Sequence, residues 1–507
     1  MKKKYVRWTL WTIASPFILF VILCILIYLP PIQNFLVDKA AVYASEATGM
    51  NISVGRISLS FPLNLVVTDV DAASPHNDTL LSVRRLQVNV QLLPLLKKQV
   101  EVDGISLQGA TVNSNDLIHG MKLNGTLGEL FISSHGVALD PETAIVNKVL
   151  LKDTDLSLCL NDTAAVDTAA SDTTYWKIIL QDIDLQNVSF ALDMPLDSLS
   201  LAASLDNAIL RDGLIDLHKS AYSLQTFRIK NGRVRYDSGK PLAADSLPSG
   251  LDPSHIALTD IGVKLDSLYY EGRNMKAIIS QFVLKERSGV EIVSATGRMV
   301  SNDKVLRVPS LKLETWDSYL ELNAAMDWNA LDFKGEGLVS ARLMADIGKP
   351  DVVRFMGRMD EKFVRQYPSE PLRIRTGIDG DLNKLKLTTL TAELPGALGL
   401  FARGELTHLT DSLLRGGDIT LEAETKDLKF VSTLAEGIEI PYGTRLEGKF
   451  TMAGAKMGTD LLLMQPEAQA VVAADTIPIT VYNDSISVAD DFKMERAARL
   501  FAKYDLS

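Results

Sequence analysis

Cysteine and histidine are scarce in this 507-residue chain, with two of the first and six of the second. Cys24 sits in an apolar N-terminal run and Cys159 stands alone in the remainder, so no disulfide ties two parts of the long C-terminal region together. Cys159 reads as a small buried apolar residue. His76, His119, His135, His218, His255 and His408 are isolated, and without His-x-His, His-Glu-x-x-His or Cys-x-x-Cys spacing the sequence supports no zinc site. A Gly-x-Ser-x-Gly elbow, a Walker A loop and a dinucleotide fingerprint are all missing. Paired carboxylates such as Asp490-Asp491 and Asp153/Asp155 fall where aspartate has an ordinary turn or capping role. These absences point away from an enzyme and imply no cofactor. Basic excess is lacking too, and the net charge of −11 disfavours nucleic acid as a partner.

What the chain does have is apolar residues, 47% of the total against 23% charged, the balance of a folded body. Its N-terminus opens with Lys2, Lys3, Lys4 and Arg7, followed by an uncharged stretch from Trp8 to Leu29. At ~1.5 Å per residue that stretch crosses a hydrocarbon core of ~30 Å. Trp8, Trp11, Phe17, Phe20, Leu23 and Tyr28 belong to this anchor, with the tryptophans and Tyr28 near its ends where interfacial aromatics belong. The run is longer than a signal-peptide core, and Pro30-Pro31-Ile32-Gln33-Asn34-Phe35 lacks a small-x-small cleavage pattern, so the segment is expected to be retained. The basic residues place the N-terminus in the cytoplasm and residues from about Pro30 onward on the other side.

Residues 1–7 are thus a basic tail and 8–29 a transmembrane helix. Residues 30–49 form a short amphipathic helix, since Ile32, Phe35, Leu36, Tyr43 and Ala47 recur at helical spacing before Gly49. From Asn51 the period changes to two. Ile57, Leu59 and Phe61, then Leu63, Leu65 and Val67, then Leu86, Val88, Val90 and Leu92 alternate with polar residues, and such segments continue almost to Val481. The fold class is mainly β, built from repetitive half-buried antiparallel strands, with one β region over 50–260 and its continuation over 261–489. Turn chemistry separates the strands at residues 74–78, 113–116, Arg211-Asp212-Gly213, Ser301-Asn302-Asp303 and 415–418. Asn161 to Thr174 and Gly239 to Pro253 read as exposed loops. A helix is expected over 350–367, with Val352, Phe355, Met356, Met359, Phe363 and Tyr367 on one face, and another over 490–507.

The strands repeat. Ile105-Ser-Leu107-Gln-Gly109-Ala-Thr-Val112 and Ile183-Asp-Leu185-Gln-Asn187-Val-Ser-Phe190 share one frame: apolar, polar, apolar, Gln, turn residue, small, hydroxyl, apolar. Segments starting at Val149 and Phe227 fit it more loosely, so every second copy lies 78 residues on. Leu311-Lys-Leu313 leading to Leu320-Glu-Leu322 resembles Leu390-Thr-Ala392 leading to Leu398-Gly-Leu400 at a similar offset. A fixed period means stacked units, each covering part of its neighbour.

The ordered series Thr48-Gly49, Val54-Gly55-Arg56-Ile57-Ser-Leu59, Asp78-Thr79-Leu80-Leu81-Ser-Val83, Val88-Asn-Val90-Gln-Leu92-Leu93-Pro94-Leu95-Leu96 and Val100-Glu-Val102-Asp-Gly104-Ile105-Ser-Leu107-Gln-Gly109 resembles the N-terminal portion of the AsmA-like superfamily. Within it the series is most similar to the TamB family of inner-membrane translocation and assembly module subunits. The resemblance covers about sixty residues after the anchor. It implies an elongated, twisted, open β-sheet groove in the periplasm, held to the inner membrane by a single pass and shielding phospholipid or unfolded outer-membrane polypeptide. TamB proteins run far longer and end in a domain that engages an outer-membrane barrel, a partner carried here by the resemblance alone. Alternation marks Leu59, Leu65, Val88, Val90, Leu107, Leu185, Leu313, Leu320, Leu322 and Leu400 as groove lining. Three readings follow: a phospholipid conduit, a scaffold for outer-membrane protein or autotransporter assembly and secretion, and a structural envelope protein whose apolar faces are all paired internally.

Overall fold

The computed structural model describes residues 39, 41–42, 45–46, 49–60, 64–74, 79–90, 102–114, 120–138, 142–161, 175–239, 250–332, 337–357, 359–411, 413–434, 443–453, 456–464, 475–482 and 485–488. The basic tail, the expected anchor and the expected helix at 490–507 lie outside them. Among the described residues no helix is long and apolar enough to cross a membrane. Of the expected helix at 30–49, residues 39, 41, 42, 45 and 46 are described and are helical. The Gly49 N–H closes this turn by donating to the Ser45 carbonyl at 2.9 Å. The body is mainly β with few helices, and it divides into two compact units, Met1–Pro241 and Leu242–Ser507. The division falls in the loop read from the sequence between Gly239 and Pro253.

In the first unit β1 (Asn51–Ser60), β2 (Asn64–Ala73), β3 (Thr79–Val90), β4 (Val102–Asn113), β5 (Met121–Ala138) and β6 (Thr143–Leu160) form an antiparallel meander. β7 (Lys177–Met194) and β8 (Leu199–Asp216) follow, and β9 (Ala221–Leu224) and β10 (Thr226–Ser238) both pair with β8. One pair departs from the antiparallel expectation, since β6 and β7 run parallel. A parallel pair needs a crossover of at least about a dozen residues, and the insertion between Leu160 and Lys177 supplies that length.

Polar kinks cross this unit from strand to strand. Asp69, Gly109, Asp153, Asn187 and Asn231, all inside strands, have φ between 49° and 61°. The pairs flanking them stay in register, which sets Gly55, Asp69, Arg84, Gly109, Gly128, Asp153, Asn187, Asp206 and Asn231 side by side in one transverse line. At each kink the alternation loses a beat. Arg84 and Arg85 are both exposed while Val83 is buried, and Lys152 and Asp153 are both exposed while Thr154 is buried. Asn187 Nδ2 donates to Asp153 Oδ1 at 2.9 Å, and the Asn231 carboxamide donates to Asp206. Gly128 has no room for a side chain, because a Cβ there would lie 2.7 Å from the Asp153 Cβ.

The kink is the turn residue of the sequence frame, and it explains the period. Gly109 and Asn187, Gly128 and Asp206, and Asp153 and Asn231 are each 78 residues apart and occupy one line, so β4–β5–β6 recurs as β7–β8–β10. Gly, Asn and Asp fill the left-handed positions because they alone tolerate that region at little cost. Asn187→Val is therefore expected to cost about 1–2 kcal/mol more than Asn187→Gly, read as the difference in urea midpoints of the first unit. Equal midpoints would mean the kink is not left-handed in solution. Two readings are corrected here. Arg211-Asp212-Gly213 is no inter-strand turn but a second kink within β8, with Asp212 at φ 50°. Cys159 is half-buried, its Sγ 3.2 Å from Asn161 Oδ1.

The second unit is an antiparallel meander in chain order. Its strands are β11 (His255–Glu271), β12 (Asn274–Glu286), β13 (Glu291–Ser301), β14 (Val305–Glu314), β15 (Tyr319–Asp327), β16 (Val339–Ile347) and β17 (Leu372–Gly380). β18 (Lys384–Leu394), β19 (Leu398–Thr407), β20 (Gly416–Thr425), β21 (Arg445–Ala453), β22 (Lys456–Met464), β23 (Asp475–Tyr482) and β24 (Ser485–Val488) continue it. β14 gains a residue against β15 at Pro309-Ser310, and β18 gains one against β19 at Thr388-Thr389. Proline fits inside β14 because a bulge spares it a ladder hydrogen bond.

The single helix expected over 350–367 is two, α1 (Lys349–Met356) and α2 (Glu361–Gln366). Gly357, at φ 75°, ends the first, and the Asp360 side chain caps the second by accepting from the Lys362 N–H at 2.8 Å. The core of the unit gathers around α2. Phe363, Tyr367, Leu394, Ala397, Leu428 and Phe430 are buried together, joining α2 to the β18–β19 turn and a 3-10 turn at Lys429–Thr433.

Candidate functional site

The residues expected to line a groove fall into transverse rows. In the first unit one row runs Ile57, Val67, Leu86, Leu107, Leu130, Leu151, Leu185, Ala208, Ile229, each paired with the next across nine strands. The neighbouring row runs Leu59, Leu65, Val88, Ile105, Ile132, Val149, Ile183, Leu210, Phe227. Leu107 and Leu185 thus share the first row, and Leu59, Leu65 and Val88 share the second. Val90 pairs with Val102 beyond a register break at Asn89.

Sequence reasoning missed the rows beyond the kink line. Because two successive residues turn outward at each kink, the apolar face continues with Val54, Val70, Val83, Ala110, Leu127, Thr154, Val188, Leu205 and Gly232. A further row runs from Ile52 through Leu81, Val112, Leu156 and Phe190 to Val234, and a shorter one joins Leu123, Leu158, Leu192, Leu201 and Tyr236. The small and apolar positions closing the eight-residue frame carried this signal.

In the second unit Leu313, Leu320 and Leu400 share one row with Ala295, Ala345, Ile374, Ala392 and Ala423. Leu322 lies in the next, with Leu311, Leu343, Leu390, Ala402 and Leu421. Ala295, Ala345 and Ala402 are buried while the leucines between them are half-buried, as expected of small residues shaded by long neighbours.

Among the described elements, the strands of the first unit make their substantial contacts with hydrogen-bonded neighbours and with the Pro195–Asp197 turn, and no second layer packs on their apolar face. Electrostatics is quiet along the rows. Asp252 is held below the usual carboxylate range, chiefly by its hydrogen bond with His255 at 2.9 Å. Tyr269 and Tyr319 are raised by donating to Glu271 and Glu321, and Tyr367 is raised by burial. None of these groups occupies a row. The rows offer burial of apolar area at roughly 25 cal/mol per Å². No family model, curated protein or solved structure matches the chain.

Proposed function

We propose that this is an AsmA-like envelope-biogenesis protein, most similar to the TamB family, held in the inner membrane by its N-terminal segment with its bulk in the periplasm. On this reading it bridges toward the outer membrane and moves phospholipid along an apolar sheet face. The observation that carries the reading is the set of charge-free rows in the first unit, continuous across nine strands and uncovered by a second layer of described elements. The rows around Leu313 and Leu320 are a second surface of the same kind. Large uncovered apolar area on a folded protein marks a binding surface, and acyl chains gain ~0.8 kcal/mol per methylene on leaving water.

A photoreactive amino acid placed at Leu185, and separately at the exposed Lys152 on the opposite face, tests this in cells grown with radioactive phosphate. Lipid label is expected at Leu185 and not at Lys152. Adding Leu107→Asp, the neighbour of Leu185 in the row, is expected to cut that label roughly tenfold at unchanged protein abundance. Equal labelling of the two faces, or loss of abundance in step with label, would count against the conduit.

A further inference from the structure

We infer that the apolar face of the first unit takes acyl chains without reading the lipid head group and does not take extended polypeptide; the inference rests on the conduit reading. Five successive rows contain no Asp, Glu, Lys, Arg, His, Asn or Gln. Their polar exceptions are two hydroxyls. Thr154 Oγ1 already donates to the Lys152 carbonyl at 3.2 Å, and Tyr236 stands in the outermost row. Recognition of a phosphate or an ethanolamine needs charged or hydrogen-bonding partners placed for it, and the face has none to place.

Polypeptide fails on the same ground. An extended chain presents an N–H and a C=O every ~3.3 Å, and those groups laid on this face would lose water and gain no partner. An acyl chain has no such groups to satisfy. The size of the strip agrees. On β6 the outer rows are marked by Val149 and Leu158, nine residues apart, or about 30 Å at ~3.3 Å per residue. That matches the hydrocarbon thickness of a bilayer, so the acyl part of a phospholipid fits within the rows and its head group is left beyond their edge.

The full chain carrying the photoreactive residue at Leu185 would be reconstituted into vesicles containing equal amounts of phosphatidylethanolamine, phosphatidylglycerol and phosphatidylcholine with identical acyl chains. A urea-unfolded outer-membrane barrel protein is supplied in the same sample, and adducts are identified by mass spectrometry. Adducts are expected to match the head-group ratio of the vesicles and to include no peptide. Enrichment of one head group by about tenfold, the mark of one good charge-assisted hydrogen bond, would overturn head-group indifference while leaving the conduit standing. Peptide adducts at Leu185 would overturn the choice of acyl chains. Absence of every adduct would remove the conduit itself, and this inference with it.

Discussion

Phe363→Ala is expected to destabilise the second unit by about 3–5 kcal/mol, the range for truncating a fully buried aromatic. Phe363 is 1% exposed and its ring lies 5.4 Å from that of Tyr367 and 5.8 Å from that of Phe430. Tyr367 and Phe430 also meet at 5.1 Å, so the three rings support one another and the cavity left by alanine cannot easily collapse. Phe355, on α1, is 55% exposed, and Phe355→Ala is expected to change stability by no more than about 0.5 kcal/mol. Urea unfolding followed by the fluorescence of Trp316 and Trp328 would read both variants. Leu313→Ala makes the comparison informative about function. If its row is an open face, truncating Leu313 creates no enclosed void and costs far less than Phe363→Ala; a loss as large as that of Phe363 would mean the row is covered, as in a purely structural envelope protein.

The sequence disclosed the rows because alternation survives even where nothing covers the strands. Leu107 and Leu185 were legible as equivalent, and the structure puts them in one register row. Strand direction was not legible, since an alternating pattern reads the same both ways. The parallel pairing of β6 with β7 left only the crossover length as a hint. The kink residues were visible as turn formers but not as interior positions. Asp212 and Asp153 carry turn chemistry, yet their strands run on past them, because a left-handed residue can bend a strand without ending it. In the second unit the repeat alignment set Leu322 against Leu400, whereas the ladder makes Leu320 the row-mate of Leu400. The β14–β15 and β18–β19 turns differ in length, which a fixed offset cannot accommodate. The split of the helix at Gly357 was lost because apolar spacing was counted through a residue that costs about 1 kcal/mol inside a helix.

Asp351 is the second position where one substitution should have a large effect. Its carboxylate is 1% exposed at the start of α1 and is surrounded by donors: the Thr315 hydroxyl, the Ser318 hydroxyl at 2.6 Å and Arg354 Nη1 at 3.2 Å. Both hydroxyls are committed in turn. Thr315 Oγ1 accepts from the Ser318 N–H at 2.8 Å, and Ser318 Oγ accepts from the Gly348 N–H at 3.0 Å. The network thereby fixes the β14–β15 turn to the N-terminus of α1, where a carboxylate also suits the helix dipole. Asp351→Ala strands two buried hydroxyl donors, at about 1–3 kcal/mol for each unsatisfied group. Arg354 keeps a second partner, Asp317 at 3.3 Å, so the full 3–5 kcal/mol of a broken buried pair should not be reached. A loss of about 2–4 kcal/mol is expected. Asp351→Asn preserves the volume but turns an amide NH₂ toward groups that are themselves donating, so it should recover only part of the loss. If asparagine restored wild-type stability, the carboxylate would be serving as packing volume and the hydrogen-bond account of this corner would fail.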